Sequence, residues 1–183
     1  MADKYYDLHV AGVTRRLRVL KVSDSLAIAG FILLGDVELT SACAAELIKK
    51  FPPGVEEIMT AETKGIPLAA EVARQMGLDH YIVARKSVKA YMKNPLCVED
   101  ESITTLGRQM LCLMDTDVLK INGKRTLLLD DVISRGGSIL AMQHLAERAG
   151  AKVIGKAAVL AEGDAAKRTD IIFLEHLPLF KPE

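Results

Sequence analysis

The run Arg125–Leu140, RTLLLDDVISRGGSIL, constrains this chain more than any other stretch. Thr126-Leu127-Leu128-Leu129 is short and nearly all apolar. Followed by acids and glycines, such a run fits a central parallel strand buried on both faces. Ile139, Leu140, Met142, Leu145, Ala146 and Ala149 then recur at helical spacing, and Gly150 stops the pattern. Asp130 to Ser138 therefore reads as a strand-to-helix loop at the carboxyl end of a buried strand, where open α/β sheets bind ligands.

The chemistry of that loop is specific. Two carboxylates, Asp130 and Asp131, leave the strand together and suit ribose hydroxyls or Mg²⁺, both of which want hard oxygen partners. In Ser134-Arg135-Gly136-Gly137-Ser138 the glycines let backbone N–H groups turn toward an anion, and the helix N-terminus adds positive potential. Ser134 and Ser138 can donate hydroxyls, and Arg135 can add a charge-assisted contact. The combination fits a phosphorylated sugar, with phosphate in the glycine cradle and the diol on the aspartates. A plain turn with Ser138 as helix cap would explain one acid and one glycine. It does not explain two acids at the end of an apolar strand.

LLLDDVISRGGS resembles the phosphoribosyl-pyrophosphate (PRPP) signature of the type I phosphoribosyltransferases: an apolar strand, two acids, a short spacer, then Thr-Gly-Gly-Thr or a variant. Arg135 stands where that family usually has Thr. Neither a Walker loop nor a dinucleotide fingerprint is present, because no Lys-Ser or Lys-Thr follows the glycines and their spacing differs.

A chain of 183 residues, half of them hydrophobic, fits one domain spanning 1–183. Its 24 basic and 24 acidic residues cancel, which argues against a general nucleic-acid binder. Cys43, Cys97 and Cys112 follow no zinc or disulfide pattern and read as three reduced thiols in a cytoplasmic protein. No signal peptide opens the chain and no apolar run is long enough to cross a bilayer.

In order, residues 5–20 alternate about Ala11-Gly12 and read as a β-hairpin, a hood over the ligand end of the sheet. Residues 37–51 read as a helix capped by Asp36. Glu57–Thr60 reads as a strand, Ala61–Gly65 as a loop and Ile66–Met76 as a helix ended by Gly77, so a parallel sheet with crossover helices follows. Thr63 offers a hydroxyl, Lys64 a charge and Gly65 close backbone approach. Tyr81–Ala84 is a further strand. Residues 94–102, with Pro95 and three successive acids, read as a long loop. Val153–Leu160 and Ile171–Leu174 are the last strands, and Leu177–Phe180 is a docking tail.

The resemblance covers nearly the whole chain and is nearest to the adenine and xanthine branches. It implies an α/β fold with a central, mostly parallel sheet flanked by helices, a hood and base-pocket segment over 1–35, and a mobile β-hairpin or loop over 86–112, with Leu111–Met114 as its returning arm. It implies transfer of the 5-phosphoribosyl group from PRPP to a purine, adenine by preference, releasing pyrophosphate. A 6-oxopurine such as xanthine, and a catalytically silent PRPP or nucleotide sensor, are the alternatives. Asp130 and Asp131 would hold the ribose diol and Mg²⁺. Residues 134–138 would hold the 5′-phosphate, and Thr63, Lys64, Gly65, Arg85 and Lys86 the pyrophosphate. Leu26, Ile28, Phe31 and Glu162 are implied for the base pocket, with Glu99, Glu101 or Glu162 as the acid or base. A homodimer is also implied, without nucleic-acid or membrane partners.

Overall fold

The computed structural model describes residues 4–100 and 109–182. In chain order the strands are β1 (Tyr5–Val10), β2 (Val13–Lys21), β3 (Ala27–Ala29), β4 (Glu57–Ala61), β5 (Ile82–Ala84), β6 (Leu96–Asp100), β7 (Gln109–Leu113), β8 (Arg125–Ile133), β9 (Lys152–Glu162), β10 (Ile172–Leu177) and β11 (Leu179–Phe180). The helices are α1 (Val37–Ile48), α2 (Ile66–Met76), α3 (Asp115–Ile121) and α4 (Gly137–Arg148). Five strands form one sheet in the order β10-β9-β8-β4-β5, every neighbour parallel. The expected α/β architecture with a central parallel sheet is what the chain adopts.

β8 lies at the middle of that sheet because both its faces are apolar. Leu127 and Leu129 pack into the layer that holds Leu39 and Leu47 of α1 and Leu68 and Val72 of α2. Leu128 and Ile133 pack into the opposite layer with Met142 and Leu145 of α4 and Leu111 and Leu113 of β7. Each such side chain contributes about 1.5–3 kcal/mol by leaving water. A two-sided core is what keeps the strand, and the acids at its end, in one place.

Four positions differ from expectation. Asp130 and Asp131 are part of β8 rather than of the loop, because the eleven-residue β9 offers ladder partners as far as Ile133↔Ala161. The connection is therefore only Ser134 to Gly136. The expected hairpin is formed by β6 and β7, but its outgoing arm, residues 96–100, read as loop, is strand: Val98 turns inward against the α4 layer and the register to β7 runs from Leu96↔Leu113 to Asp100↔Gln109. The short helix α3 was not anticipated. Cys97 and Cys112 are not free thiols but a disulfide between directly opposed residues of β6 and β7, with Cα atoms 4.1 Å apart. Cys43 is free and buried, and burial pushes its thiol up to about 12.

The hood is a second sheet, β1-β2-β3-β11, with antiparallel pairing throughout. The expected hairpin turns at Ala11-Gly12, both left-handed. The tail docks as β11, with Leu179 opposite Ile28. Arg15 joins the hood to α1, donating to both carboxylate oxygens of Asp36 at 2.7 and 2.9 Å. Asp36 also caps the helix by accepting from Leu39 N–H. Among the described residues no helix is long and apolar enough to cross a membrane.

Candidate functional site

β4 and β8 are parallel neighbours, so the turns that follow them emerge side by side at the same edge of the sheet. Each turn ends on a glycine that starts a helix: Gly65 before α2 and Gly136 before α4. Neither helix start receives a side-chain cap, in contrast to α1 with its Asp36. Uncapped N-terminal N–H groups are an anion site in waiting.

The two glycines serve different needs. Gly136 has φ +86°, a left-handed angle that side chains resist, so the turn into α4 is tight only because Gly is there. Gly65 has an ordinary φ of −73° and is needed for room. A β-carbon on it would collide with Thr60 Oγ1 and lie 3.3 Å from Asp130 Oδ1. The β4 turn thus leans directly on the acids of β8.

Lys64, half exposed, reaches Asp131 Oδ2 at 2.8 Å; Asp131 is buried. The contact is an ion pair without hydrogen-bond alignment, and Oδ2 has no hydrogen-bond partner. Asp130 is more open and its Oδ1 accepts from Asp131 N–H at 2.9 Å. Burial, and then the charge of Asp131, push the Asp130 carboxyl up to about 7, while Lys64 pulls the other way. A buried acid and a part-buried one beside it, with Lys64 between them and solvent, are underneutralised.

A cavity of about 500 Å³ opens above this pair. Its polar end is Thr63, Lys64, Lys86, Asp130, Asp131, Ser134 and Ser138. Its apolar lining is Ile28, Ala29, Gly30 and Phe31 of the hood and Leu177 at the end of β10, opposite Glu162 of β9, while Leu111 of β7 lines it next to the Arg85–Cys112 bridge. Burial raises the Glu162 carboxyl above the usual carboxylate range, and Lys64 opposes the shift. Such a cavity can take a ligand that is anionic and hydroxylated at one end and flat and apolar at the other.

The cavity therefore collects most of the residues singled out in the sequence. Leu26 is not among its lining residues, nor are Gly65, Arg85, Arg135, Gly136 and Gly137. Gly65, Gly136 and Gly137 shape the turns from beneath. Arg135 is exposed. Arg85 instead donates from Nη1 to Glu62 at 3.0 Å, and Glu62 also accepts the Lys86 N–H at 2.8 Å. That backbone bond first, and Arg85 after it, hold the Glu62 carboxyl below its ordinary range. Glu62 thereby anchors the β5 end that carries Lys86. Glu99 is exposed on β6 and outside the cavity lining, and Glu101 lies outside the described residues. Gly30, Leu111 and Leu177 were missed: single apolar or glycine positions carry no local chemistry, and only the tertiary fold brings them to one cavity.

A profile of the phosphoribosyl transferase domain matches residues 41–177. The hypoxanthine/guanine phosphoribosyltransferase of Methanococcus voltae is 27% identical over 141 residues, 77% of this chain and 71% of its own length. The adenine phosphoribosyltransferase of Rhodococcus opacus is 32% identical over 124 residues, covering 68% of this chain and 63% of the relative. The crystal structure of adenine phosphoribosyltransferase from Rhodothermus marinus superposes with a TM-score of 0.67 at 22% identity, over 86% of this chain and 92% of that one.

Proposed function

The chain belongs to the phosphoribosyl transferase domain family, and on that premise we propose that it moves the 5-phosphoribosyl group of PRPP onto a purine nitrogen and releases pyrophosphate. One observation carries this reading: the two strand-end turns and the apolar hood wall open into a single cavity. The 5′-phosphate sits over the uncapped start of α4, within reach of the Ser134 and Ser138 hydroxyls. The ribose diol meets Asp130 and Asp131. The pyrophosphate lies toward Thr63, Lys64 and Lys86, drawing Lys64 from Asp131. The purine lies between Ile28 and Phe31 on one side and Leu177 on the other, with Glu162 at its edge.

Mg²⁺ suits the donor set on two counts. Asp131 Oδ2 lacks a hydrogen bond, and Asp130 titrates high beside it. Among the described residues no third metal-ligating side chain joins them, as expected of a magnesium that takes its other ligands from substrate oxygens and water. The bound metal would neutralise charge on the pyrophosphate as it leaves. The protein's own part is to fix the sugar on Asp130 and Asp131, hold both phosphate groups, and exclude water. Positioning and electrostatics of this kind supply most of the rate in such transfers.

Adenine is the favoured base. By the family resemblance of the sequence, the hypoxanthine-guanine branch carries an Asp in this loop where the chain has Ser134, so that branch's acid or base is absent here. The half-buried Glu162 can accept from an exocyclic amine. A 6-oxopurine is the second reading, favoured by the relative from Methanococcus voltae, a hypoxanthine/guanine phosphoribosyltransferase. Pyrophosphate release from PRPP and Mg²⁺, assayed in parallel with adenine, hypoxanthine, guanine, xanthine and uracil, separates them. Release with adenine alone is expected. PRPP binding with no release for any base would replace the enzyme by a sensor.

A further inference from the structure

The turn into α4 is braced from behind by a residue outside the cavity. Arg168 follows a 3-10 turn, Gly163–Lys167, at the end of β9, and is about a third exposed. Its guanidinium occupies the place a β-carbon on Gly136 would take, against Nη1. The fork is fixed in orientation: Nε and Nη2 donate to the two oxygens of Asp170 at 2.9 and 2.8 Å. Lys156, from the middle of β9, donates to the same carboxylate at 2.7 Å. A planar guanidinium with two donors committed to a carboxylate has one direction left to present, and here that direction is Gly136.

This placement is electrostatically odd. A helix N-terminus carries partial positive charge and disfavours a neighbouring cation. Asp170 offsets part of the charge, and Arg168 and Lys156 together exceed it. An anion on the other side of the Gly136 turn would remove the mismatch. Substituting Gly136 would both strain the left-handed φ and displace the guanidinium, so turn and arginine are fitted to each other.

We propose that Arg168 is a positioning residue for the 5′-phosphate, holding Gly136 in its left-handed turn so that the backbone N–H groups opening α4 stay aimed at the anion. The inference rests on the phosphoribosyl reading above. Arg168, Asp170 and Lys156 then act together as a rigid cationic brace behind a flexible glycine turn.

The test is steady-state kinetics of the full chain and its Arg168→Ala, Arg168→Lys and Asp170→Asn variants, with calorimetric binding of ribose 5-phosphate and thermal unfolding. In Arg168→Ala the KM for PRPP rises about tenfold, equivalent to one mispositioned charged contact, while kcat and the KM for the base stay within about twofold. Ribose 5-phosphate affinity falls by the same factor, and Tm moves by no more than about 3 °C. Arg168→Lys keeps the charge without the fork and falls between wild type and Ala; Asp170→Asn weakens PRPP in the same direction. An unchanged KM for PRPP in Arg168→Ala overturns the proposal, as does a joint fall of kcat, base affinity and Tm. If wild type turns over no base yet binds ribose 5-phosphate, the enzymatic reading fails alone, and the loss of that binding in Arg168→Ala still upholds the brace. Wild type that neither turns over a base nor binds ribose 5-phosphate overturns both.

Discussion

The turns after β4 and β8 are built on one plan and charged in opposite ways. Both leave a parallel strand, both end on glycine, and both open an uncapped helix. The β8 turn brings acids, Asp130 and Asp131, up through the sheet, carries the exposed Arg135 itself, and has Arg168 and Lys156 behind it. The β4 turn presents a cation, Lys64, and holds its acid, Glu62, in the cavity wall tied to Arg85 and Lys86. Even the glycines differ, one needed for its angle and the other for the room it leaves. Side by side, the two turns complement each other through Lys64 and Asp131. The lesson is that the topology supplies two equivalent anchorages, and the charge carried to each decides which part of a substrate it can hold.

The comparison breaks hardest when the acids go. Asp130→Asn with Asp131→Asn should cut transfer about a thousandfold or more, on the scale of lost electrostatic contacts to a reacting group. Tm should hold or rise, because the mutual repulsion of two adjacent carboxylates disappears; circular dichroism and a pyrophosphate-release assay read both. Gly65→Ala comes next. Its methyl meets Thr60 Oγ1 and Asp130 Oδ1 inside packed structure, so about 1–3 kcal/mol of stability should be lost in urea unfolding, along with most activity. Lys64→Ala removes the cation of the β4 turn: KM for PRPP should rise about tenfold, and Asp130 should titrate higher still.

A smaller effect sharpens the electrostatic side. Asp130 titrates at about 7 when folded and near the ordinary aspartate value when unfolded. Between those values the native state keeps a proton that the unfolded chain has released. Stability therefore falls as pH rises through this window and levels off above it. Urea midpoints taken across that range should show the decline, and Asp130→Asn should flatten it. A wild-type profile that rises over the window would mean that other carboxylates, such as Glu71 held down to about 2 by Arg74 and Gln75, outweigh Asp130.

Much of this was legible in sequence because it is local. The apolar run of β8, the acid pair, the glycine turns, the Asp36 cap and the Gly77 stop are each written within a few residues. What was not legible depends on partners far along the chain. The extension of β8 through Asp131 follows from the length of β9, and β6 from its pairing with β7. Cys97 and Cys112 face each other only because that pairing has its observed register. Arg85 reads from sequence as a phosphate ligand, and its bond to Glu62 is visible only in the fold. Arg168 carries no motif at all: its neighbour Gly136 lies 32 positions away, brought near by the crossover from β8 through α4 to β9.

The hood has a consequence for how this protein comes off the ribosome. Its third strand, β3, carries the first pocket residues, Ile28 and Ala29, yet its outer partner is β11, with Leu179 opposite Ile28. Leu177, in the pocket wall, is made just before that strand. During vectorial synthesis the parallel sheet can gather strand by strand, but the roof over the cavity waits for a segment about 150 residues downstream of the one it must meet. The nascent chain can hold phosphate-binding turns before it can enclose a base, and competence for ligand capture waits until β11 has emerged.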